Sequence, residues 1–379
     1  MDNSTSPHIL LVLDQFPKAL GGGERIALRL ARLLPRYGYR VSILTFFVHS
    51  ESVGLIEPPC AIFLLPITKT YDLNAVVGAL ALRQFLKEHK VDLVHTFFES
   101  SDIWAGLVTK AMSKSKLVWS RRDMGILRTR KHHIAYRLMA SVPDAVFAVS
   151  EQVRKHCIEV DKIDPERVQT VYNGLDLYDW NIRAAAPLRK GSQVITSVGN
   201  IRRVKGHDIL VRAAAIVVKR FPQALFTIGG DVLEPEYFAE LQRLVAQFAL
   251  SGCFHFVGPV TNLPKHLATA DIFVLPSRSE GFSNAIVEAM AASIPVVATD
   301  VGGNAEAVES GVTGFVVPSQ DVEAMANAIM KLLSDPRAAV VMGAAGRDLA
   351  GRKFTTEAMM QVVTRTFARL LSTDSCTKR

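Results

Sequence analysis

IFVLPSRSEGFSNAIVEAMAASIPVVA, residues 272–298, decides the fold. Two short apolar runs, Ile272–Leu275 and Val296–Ala298, enclose a polar loop and a helical segment. Runs of four or so consecutive β-formers, apolar on both faces, belong to parallel strands covered by helices on each side. The unit is therefore strand, loop, helix, strand. The same alternation runs outward in both directions. Upstream lie the strand Val194–Val198, a helix from about Asp208 to Arg220, the strand Leu225–Gly229, a helix from Pro235 to Ala249 and the strand Phe254–Val257; downstream lies Phe315–Val317. An earlier set begins with Ile9–Leu13 and a helix from Glu24 to Leu34, and continues through Val41–Phe47, Ala61–Leu65, Asp92–Thr96, Leu117–Ser120 and Ala145–Val149. Asn181 to Ser192, with Ala184-Ala185-Ala186-Pro187 and a small basic cluster, reads as a linker. The expectation is an α/β chain of two Rossmann-like doubly wound domains, residues 1–182 and 193–354, joined by 183–192 and facing across a cleft. Ligands of such sheets bind beyond the carboxyl ends of the strands.

A chain of 379 residues is long enough for two cores. Apolar residues make up 49% and charged residues 21%, which excludes wholesale disorder, collagen and a disulfide scaffold. The four cysteines, Cys60, Cys157, Cys253 and Cys376, are far apart; no Cys-x-x-Cys suggests structural zinc, and a reducing compartment is expected. The N-terminus lacks the basic start and long apolar run of a signal peptide. The expected location is cytoplasmic, with room for a peripheral place on the inner face of the cell membrane. The formal charge of +8 is compatible with nucleic acid, an anionic membrane or a phosphorylated substrate.

The chemistry concentrates where strands end. Glu280 lies in the loop after Ile272–Leu275, and Glu288 lies two turns into the helix that follows. Gly281 permits a tight backbone, and the helix start offers amides to an anion. Carboxylates beside an anion site suit a ligand bearing both phosphate and sugar hydroxyls. A second glycine turn, Gly302-Gly303, follows the next strand and is expected to offer further free amides. Gly199-Asn200-Ile201-Arg202-Arg203-Val204-Lys205-Gly206 follows the first strand of the second unit, and its basic residues could neutralise a diphosphate without a metal. In the first unit Gly21-Gly22-Gly23 turns strand into helix but is not G-x-G-x-x-G, so the dinucleotide fingerprint is not met. His95 ends the strand Asp92–Thr96 and is expected to face the cleft. There is no Asp-x-Asp, Gly-x-Ser-x-Gly or Walker loop.

Taken together, these segments resemble a family 4 retaining glycosyltransferase of the GT-B fold, over nearly the whole chain. The most specific match is the Glu–seven residues–Glu signature at Glu280 and Glu288. Gly21-Gly22-Gly23-Glu24-Arg25, Ala148-Val149-Ser150-Glu151, Asn173-Gly174-Leu175-Asp176, Lys205-Gly206 and Gly311-x-x-Gly314-Phe315 support it. The resemblance implies an acceptor-binding first domain, a nucleotide-sugar-binding second domain, and a final helix, Thr355 to about Leu371 within residues 355–379, that crosses back to the first. It implies that Glu280 holds donor-sugar hydroxyls, Glu288 the ribose and Lys205 the diphosphate. Phe282, Ser283 and Asn284, with Gly281, Gly199 and Asn200, would line the donor pocket, and Gly22 and Gly23 would touch the donor from the other domain. The family commonly has Arg where this chain has Asn200, so Arg202 or Arg203 is the expected source of that charge. Where the family often has a first-domain His, this chain has Ser120-Arg121-Arg122-Asp123; His95, Arg121 and Arg122 are the candidates for that role. The implied reaction is front-face transfer with retention from a UDP- or GDP-linked sugar, with no metal and no resident cofactor.

Two other readings stand beside it: a sugar-nucleotide epimerase of related fold, and a non-catalytic protein that binds anionic surfaces. The basic residues are concentrated. Lys110 to Arg137 holds nine of them against a single acid, Asp123, a net +8 within this stretch alone. Placed in the acceptor domain, Arg121, Arg122, Arg128, Arg130 and Lys131 are expected to meet a saccharide or lipid-diphosphate-linked acceptor at an anionic membrane. No nucleic-acid role is expected, because the stretch holds few aromatics.

Overall fold

The structure is a computed structural model, and residues 6–16, 21–48, 58–69, 71–125, 128–180 and 193–372 are described. The expected linker at 183–192 lies outside them. The chain divides into two compact units, Met1–Tyr172 with Met359–Arg379, and Asn173–Ala358. The division after Tyr172 puts the Asn173-Gly174 segment in the second unit, ahead of the boundary expected at 182.

Unit 1 is a seven-stranded parallel sheet in the order β3-β2-β1-β4-β5-β6-β7. Its strands are β1 (His8–Leu13), β2 (Arg40–Thr45), β3 (Ile62–Leu64), β4 (Leu93–Thr96), β5 (Lys116–Arg121), β6 (Ala145–Ala148) and β7 (Val168–Thr170). The last has no signal in the sequence, because Val-Gln-Thr is too short and too polar to read as a buried run. The helices are α1 (Gly22–Leu33), α2 (Leu73–Glu88), α3 (Gly106–Met112), α4 (Arg130–Leu138) and α5 (Glu151–Glu159). All six residues of β1 are buried, as a central strand requires. Ile9, Leu11 and Leu13 pack on one side against Ile26 and Leu30 of α1 and against Met360, Val363 and Phe367 of the last helix. Tryptophans mark the opposite side. Trp119 of β5 meets Tyr136 of α4 edge to face, and Gly106 of α3 lies against the Trp119 ring. Gly78 of α2 lies between the Ile67 side chain and the Trp104 ring, and a side chain there would press on Ile67.

Unit 2 is a six-stranded parallel sheet in the order β10-β9-β8-β11-β12-β13. Its elements are β8 (Val194–Val198), α6 (His207–Arg220), β9 (Leu225–Gly229), α7 (Pro235–Gln247), β10 (Phe254–Gly258), α8 (Leu263–Leu267), β11 (Ile272–Leu275), α9 (Asn284–Ala291), β12 (Val296–Thr299), α10 (Asn304–Ala307), β13 (Gly314–Val317), α11 (Val322–Ser334) and α12 (Pro336–Lys353). The chain's last helix, α13 (Thr356–Ser372), belongs to unit 1 from Met359 onward. Both sheets thus have the doubly wound order expected from the sequence. In each, the order reverses beside the first strand, between β1 and β4 and between β8 and β11. A crevice opens at such a switch point, beyond the carboxyl ends of the strands.

Candidate active site

The loops leaving β8 and β11 meet at the switch point of unit 2. Lys205, in the first loop, places its Nζ 2.7 Å from Glu280 Oε1 in the second. Ser277 donates its hydroxyl to the same oxygen at 2.7 Å. Glu280 therefore faces a cation and a hydroxyl through one oxygen. Gly199 is beside the Lys205 stem, and Asn200 is exposed in the same loop.

Backbone contacts lock the two loops together. Gly206, at φ +66°, packs so tightly on the Pro276 carbonyl that any side chain would collide with it. The Arg278 N–H donates to the Val204 carbonyl at 2.8 Å. The Arg278 guanidinium grips both Asp208 oxygens, at 2.8 and 2.7 Å, and donates to the Arg203 carbonyl at 2.9 Å. Tyr237 completes the strut by donating its hydroxyl to Asp208. Burial would push the Asp208 carboxyl up, but the hydrogen bonds from Arg278 and Tyr237 hold it below its ordinary value.

Downstream of Glu280, Gly281, Phe282 and Ser283 are buried and lead into α9. Ser283 occupies the N-cap position without a side-chain cap bond, so its hydroxyl does not satisfy the amides that a helix start leaves open. Asn284 accepts a hydrogen bond from Asn173, and Glu288 is half-buried two turns along. The second glycine turn departs from expectation. Val301, Gly303 and Asn304 donate their amides to Thr299, Gly281 and Val301 respectively. Gly302, at φ +52°, lies against the Glu280 carbonyl. This turn buttresses the Glu280 loop; most of its amides are spent within the protein.

Arg202 and Arg203 are drawn elsewhere. Arg202 pairs with Glu234 at 3.5 Å, and Arg203 pairs with Glu240 at 2.6 Å and covers the Tyr237 ring. Both are anchored to α7 or its start, and Lys205 is the basic residue of this loop that meets Glu280.

In unit 1 the switch point is closed by Asp14, which accepts the amides of Ser100 and Ser101 at 3.1 and 2.7 Å. Gly22 opens α1 with free space where a side chain would be, whereas a side chain at Gly23 would press on the tip of the Phe98 ring. His95 does not face an open site. It is 1% exposed and packs against Phe97, Phe147 and Phe367. Burial pushes its imidazole down to about 3, so it stays neutral. The reason is strand alternation, which turns His95 toward the α1 and α13 side of the sheet.

The basic stretch also changes character. Arg121 and Arg128 are buried, with their guanidinium groups 4.1 Å from the centre of the Tyr136 ring. Both pair with Asp161, Arg121 at 3.2 Å and Arg128 at 3.1 Å. The Tyr136 hydroxyl donates to Asp102, which also accepts from Thr96; burial raises the Asp102 carboxyl to about 7. Lys110 pairs with Asp144 at 3.0 Å. Arg121 and Arg128 are thus unable to meet a membrane surface, because acids from outside the stretch take them inward. Arg122 is half-buried; Arg130 and Lys131 are exposed. Among the described residues no three His, Cys, Asp or Glu side chains gather as a metal-binding group.

Residues 179–349 match the family model for glycosyl transferases group 1, and residues 20–178 match that for Glycosyltransferase Family 4. The chain belongs to the family 4 glycosyltransferases. It is 37% identical over 167 residues to a GDP-mannose-dependent alpha-(1-6)-phosphatidylinositol monomannoside mannosyltransferase of Mycolicibacterium smegmatis, covering 41% of this chain and 43% of that one. It is 34% identical over 210 residues to D-inositol 3-phosphate glycosyltransferase 2 of Catenulispora acidiphila, covering 51% and 48%. The match spans about half the length of these relatives. A UDP-Gal:alpha-D-GlcNAc-diphosphoundecaprenol alpha-1,3-galactosyltransferase of Escherichia coli is 22% identical over 88% of this chain and 90% of its own. In fold, the chain matches HepE of Anabaena in complex with UDP, at a TM-score of 0.83 and 21% identity, covering 96% and 100% of the two chains.

Within this family 4 member, sequence reasoning missed the Arg278–Asp208–Tyr237 strut. Arg278 was visible inside the signature segment, and Asp208 stands three residues after Lys205. Only their convergence with Tyr237 from α7 reveals what they do. Family membership also speaks against both the epimerase and the purely surface-binding reading.

Proposed function

We propose that the protein transfers a sugar from a UDP- or GDP-linked donor to a saccharide or lipid-diphosphate-linked acceptor, in the assembly of a cell-surface polysaccharide or glycolipid. The observation that carries this reading is the Lys205–Glu280 pair at the β8/β11 switch point, beside the start of α9. A cation and open helix amides suit a diphosphate, and an adjacent carboxylate suits sugar hydroxyls. In this reading Glu288 takes the ribose hydroxyls. Phe282, Ser283 and Asn284 shape the sugar-phosphate pocket. The relatives named for GDP-mannose and UDP-Gal, and for phosphatidylinositol and diphosphoundecaprenol, support a nucleotide-sugar donor and an acceptor at a membrane.

The reaction follows from these groups. As the anomeric bond breaks, charge develops on the diphosphate, and Lys205 with the α9 amides stabilises it in place, without a metal. The acceptor hydroxyl attacks from the face the diphosphate leaves, hands its proton to the departing phosphate oxygen, and the anomeric configuration is retained. The acceptor lies in unit 1, and the enzyme works on the cytoplasmic side of the membrane. A thermal-shift screen against UDP-, GDP- and ADP-sugars tests the donor; one class raises the melting temperature by mass action. A chain stabilised by none of them would overturn the reading, and an inverted product by NMR would overturn its stereochemistry.

A further inference from the structure

Helix α2 is apolar on the side that faces solvent. Leu73, Val76, Val77 and Leu80 are 84%, 61%, 65% and 55% exposed. Their spacing, i, i+3, i+4 and i+7, puts them on one stripe. The opposite side of the helix, with Ala75, Gly78, Leu82 and Leu86, is already packed in unit 1. The outward stripe is therefore not needed for the core. A contiguous exposed apolar face marks a binding surface.

The rim of the stripe says what covers it. Lys69 precedes the helix, Arg83 and Lys87 continue the exposed side after Leu80, and Lys90 follows; all four are exposed. None has a carboxylate partner among the described residues; of the two acids at the ends of the helix, Asp72 caps it by accepting the Ala75 amide and Glu88 accepts from Gln84. Tyr71 stands 84% exposed at the helix entry. Apolar centre, basic rim and an interfacial tyrosine are the features of a helix lying in a lipid headgroup layer. Helix α4, on the same side of the sheet, carries the same mixture, with Ile134 and Leu138 exposed beside Arg130 and Lys131. A second copy of the chain is a poorer occupant, because a twofold contact on this patch would set basic rim against basic rim.

We propose that the outward face of α2 docks on an anionic bilayer, with Leu73, Val76, Val77 and Leu80 entering the headgroup boundary and Arg83 and Lys87 meeting lipid phosphates. Membrane contact is thereby assigned to α2, supported by α4. This deepens the proposed function and rests on it only for the acceptor being held at that bilayer.

The test is co-sedimentation of the full chain with vesicles of phosphatidylcholine alone and of phosphatidylcholine with phosphatidylglycerol. The wild type binds the anionic vesicles. Val77→Glu/Leu80→Glu lowers that affinity at least about tenfold, and Arg83→Ser/Lys87→Ser lowers it about fivefold for each charge removed while leaving weak binding to neutral vesicles unchanged. The substituted side chains are exposed, and a thermal melt with UDP- or GDP-sugar verifies fold and donor binding separately. Failure of donor binding in the wild type would sink the proposed function and leave the vesicle result standing. The docking face is overturned if the wild type ignores anionic vesicles, or if Val77→Glu/Leu80→Glu binds them as well as the wild type. It is equally overturned if those substitutions convert a dimer to a monomer without changing vesicle binding.

Discussion

Lys205 and Glu280 stand 75 positions apart in the chain and 2.7 Å apart in space. Neither loop makes this contact alone. It exists because β8 and β11 are neighbours in the sheet, with parallel carboxyl ends that launch both loops from one edge. The pair presents a cation and an acceptor of hydroxyls at the same point.

Removing the cation should therefore affect chemistry more than stability. Lys205→Ala and Glu288→Ala are each expected to cut sugar transfer at least about a hundredfold, with melting temperatures close to wild type. Steady-state transfer from the donor identified by thermal shift is the measurement. Undiminished turnover in either variant would contradict the roles assigned to these residues.

Arg278 is a positioning residue. Its fork ties Asp208 to the Arg203 carbonyl, and thereby sets the loop that carries Lys205. Arg278→Ala should weaken nucleotide-sugar binding about tenfold, and Arg278→Lys should restore only part of it, since an ammonium cannot span both oxygens. Titration of the donor with each variant gives the answer. Equal affinity for wild type and Arg278→Ala would leave the strut purely structural.

The two glycine turns should respond oppositely to alanine. Gly302 is at positive φ against the Glu280 carbonyl, so Gly302→Ala should cost at least about 2 kcal/mol and displace the Glu280 loop. Gly22 has open space around it, so Gly22→Ala should change stability by less than about 1 kcal/mol. Chemical denaturation of both variants checks the contrast.

His95 makes the protein acid-sensitive. Its folded-state value is lowered to about 3 from the ordinary 6.5, so between these values the unfolded chain binds the extra proton and stability falls as pH falls. At pH 5 this amounts to about 2 kcal/mol. His95→Phe should remove that component, giving a smaller loss of stability between pH 7 and pH 5 than in the wild type. Asp102 acts in the opposite sense. Its value, raised to about 7 by burial, makes stability fall as pH rises from the ordinary carboxyl range through 7. Denaturant melts across pH would expose an equal slope in His95→Phe and wild type if the burial argument were wrong.

Much of the architecture was legible because parallel strands buried on both faces leave uninterrupted apolar runs. Glu280 and Lys205 were legible as candidates because each follows such a run. The departures from the expected contacts share a cause. Local charge alone marks Arg202, Arg203, Arg121 and Arg128 as ligand-facing cations, but the acids that engage them, Glu234, Glu240 and Asp161, are distant or belong to other elements. Gly303 looked like a free amide because its acceptor, Gly281, lies on another loop. The apolar stripe of α2 was hidden for the converse reason. Its residues look like core until a structure shows which side of the helix is already filled.

The order of strands and helices, the two-domain pattern and the signature carboxylates were determined by the sequence alone, since each depends on residue type and short-range periodicity. Which charges meet ligand, protein or solvent was decided only by the tertiary structure. Charge is written in the chain, but burial and partnership depend on which strand edges and helix faces come together.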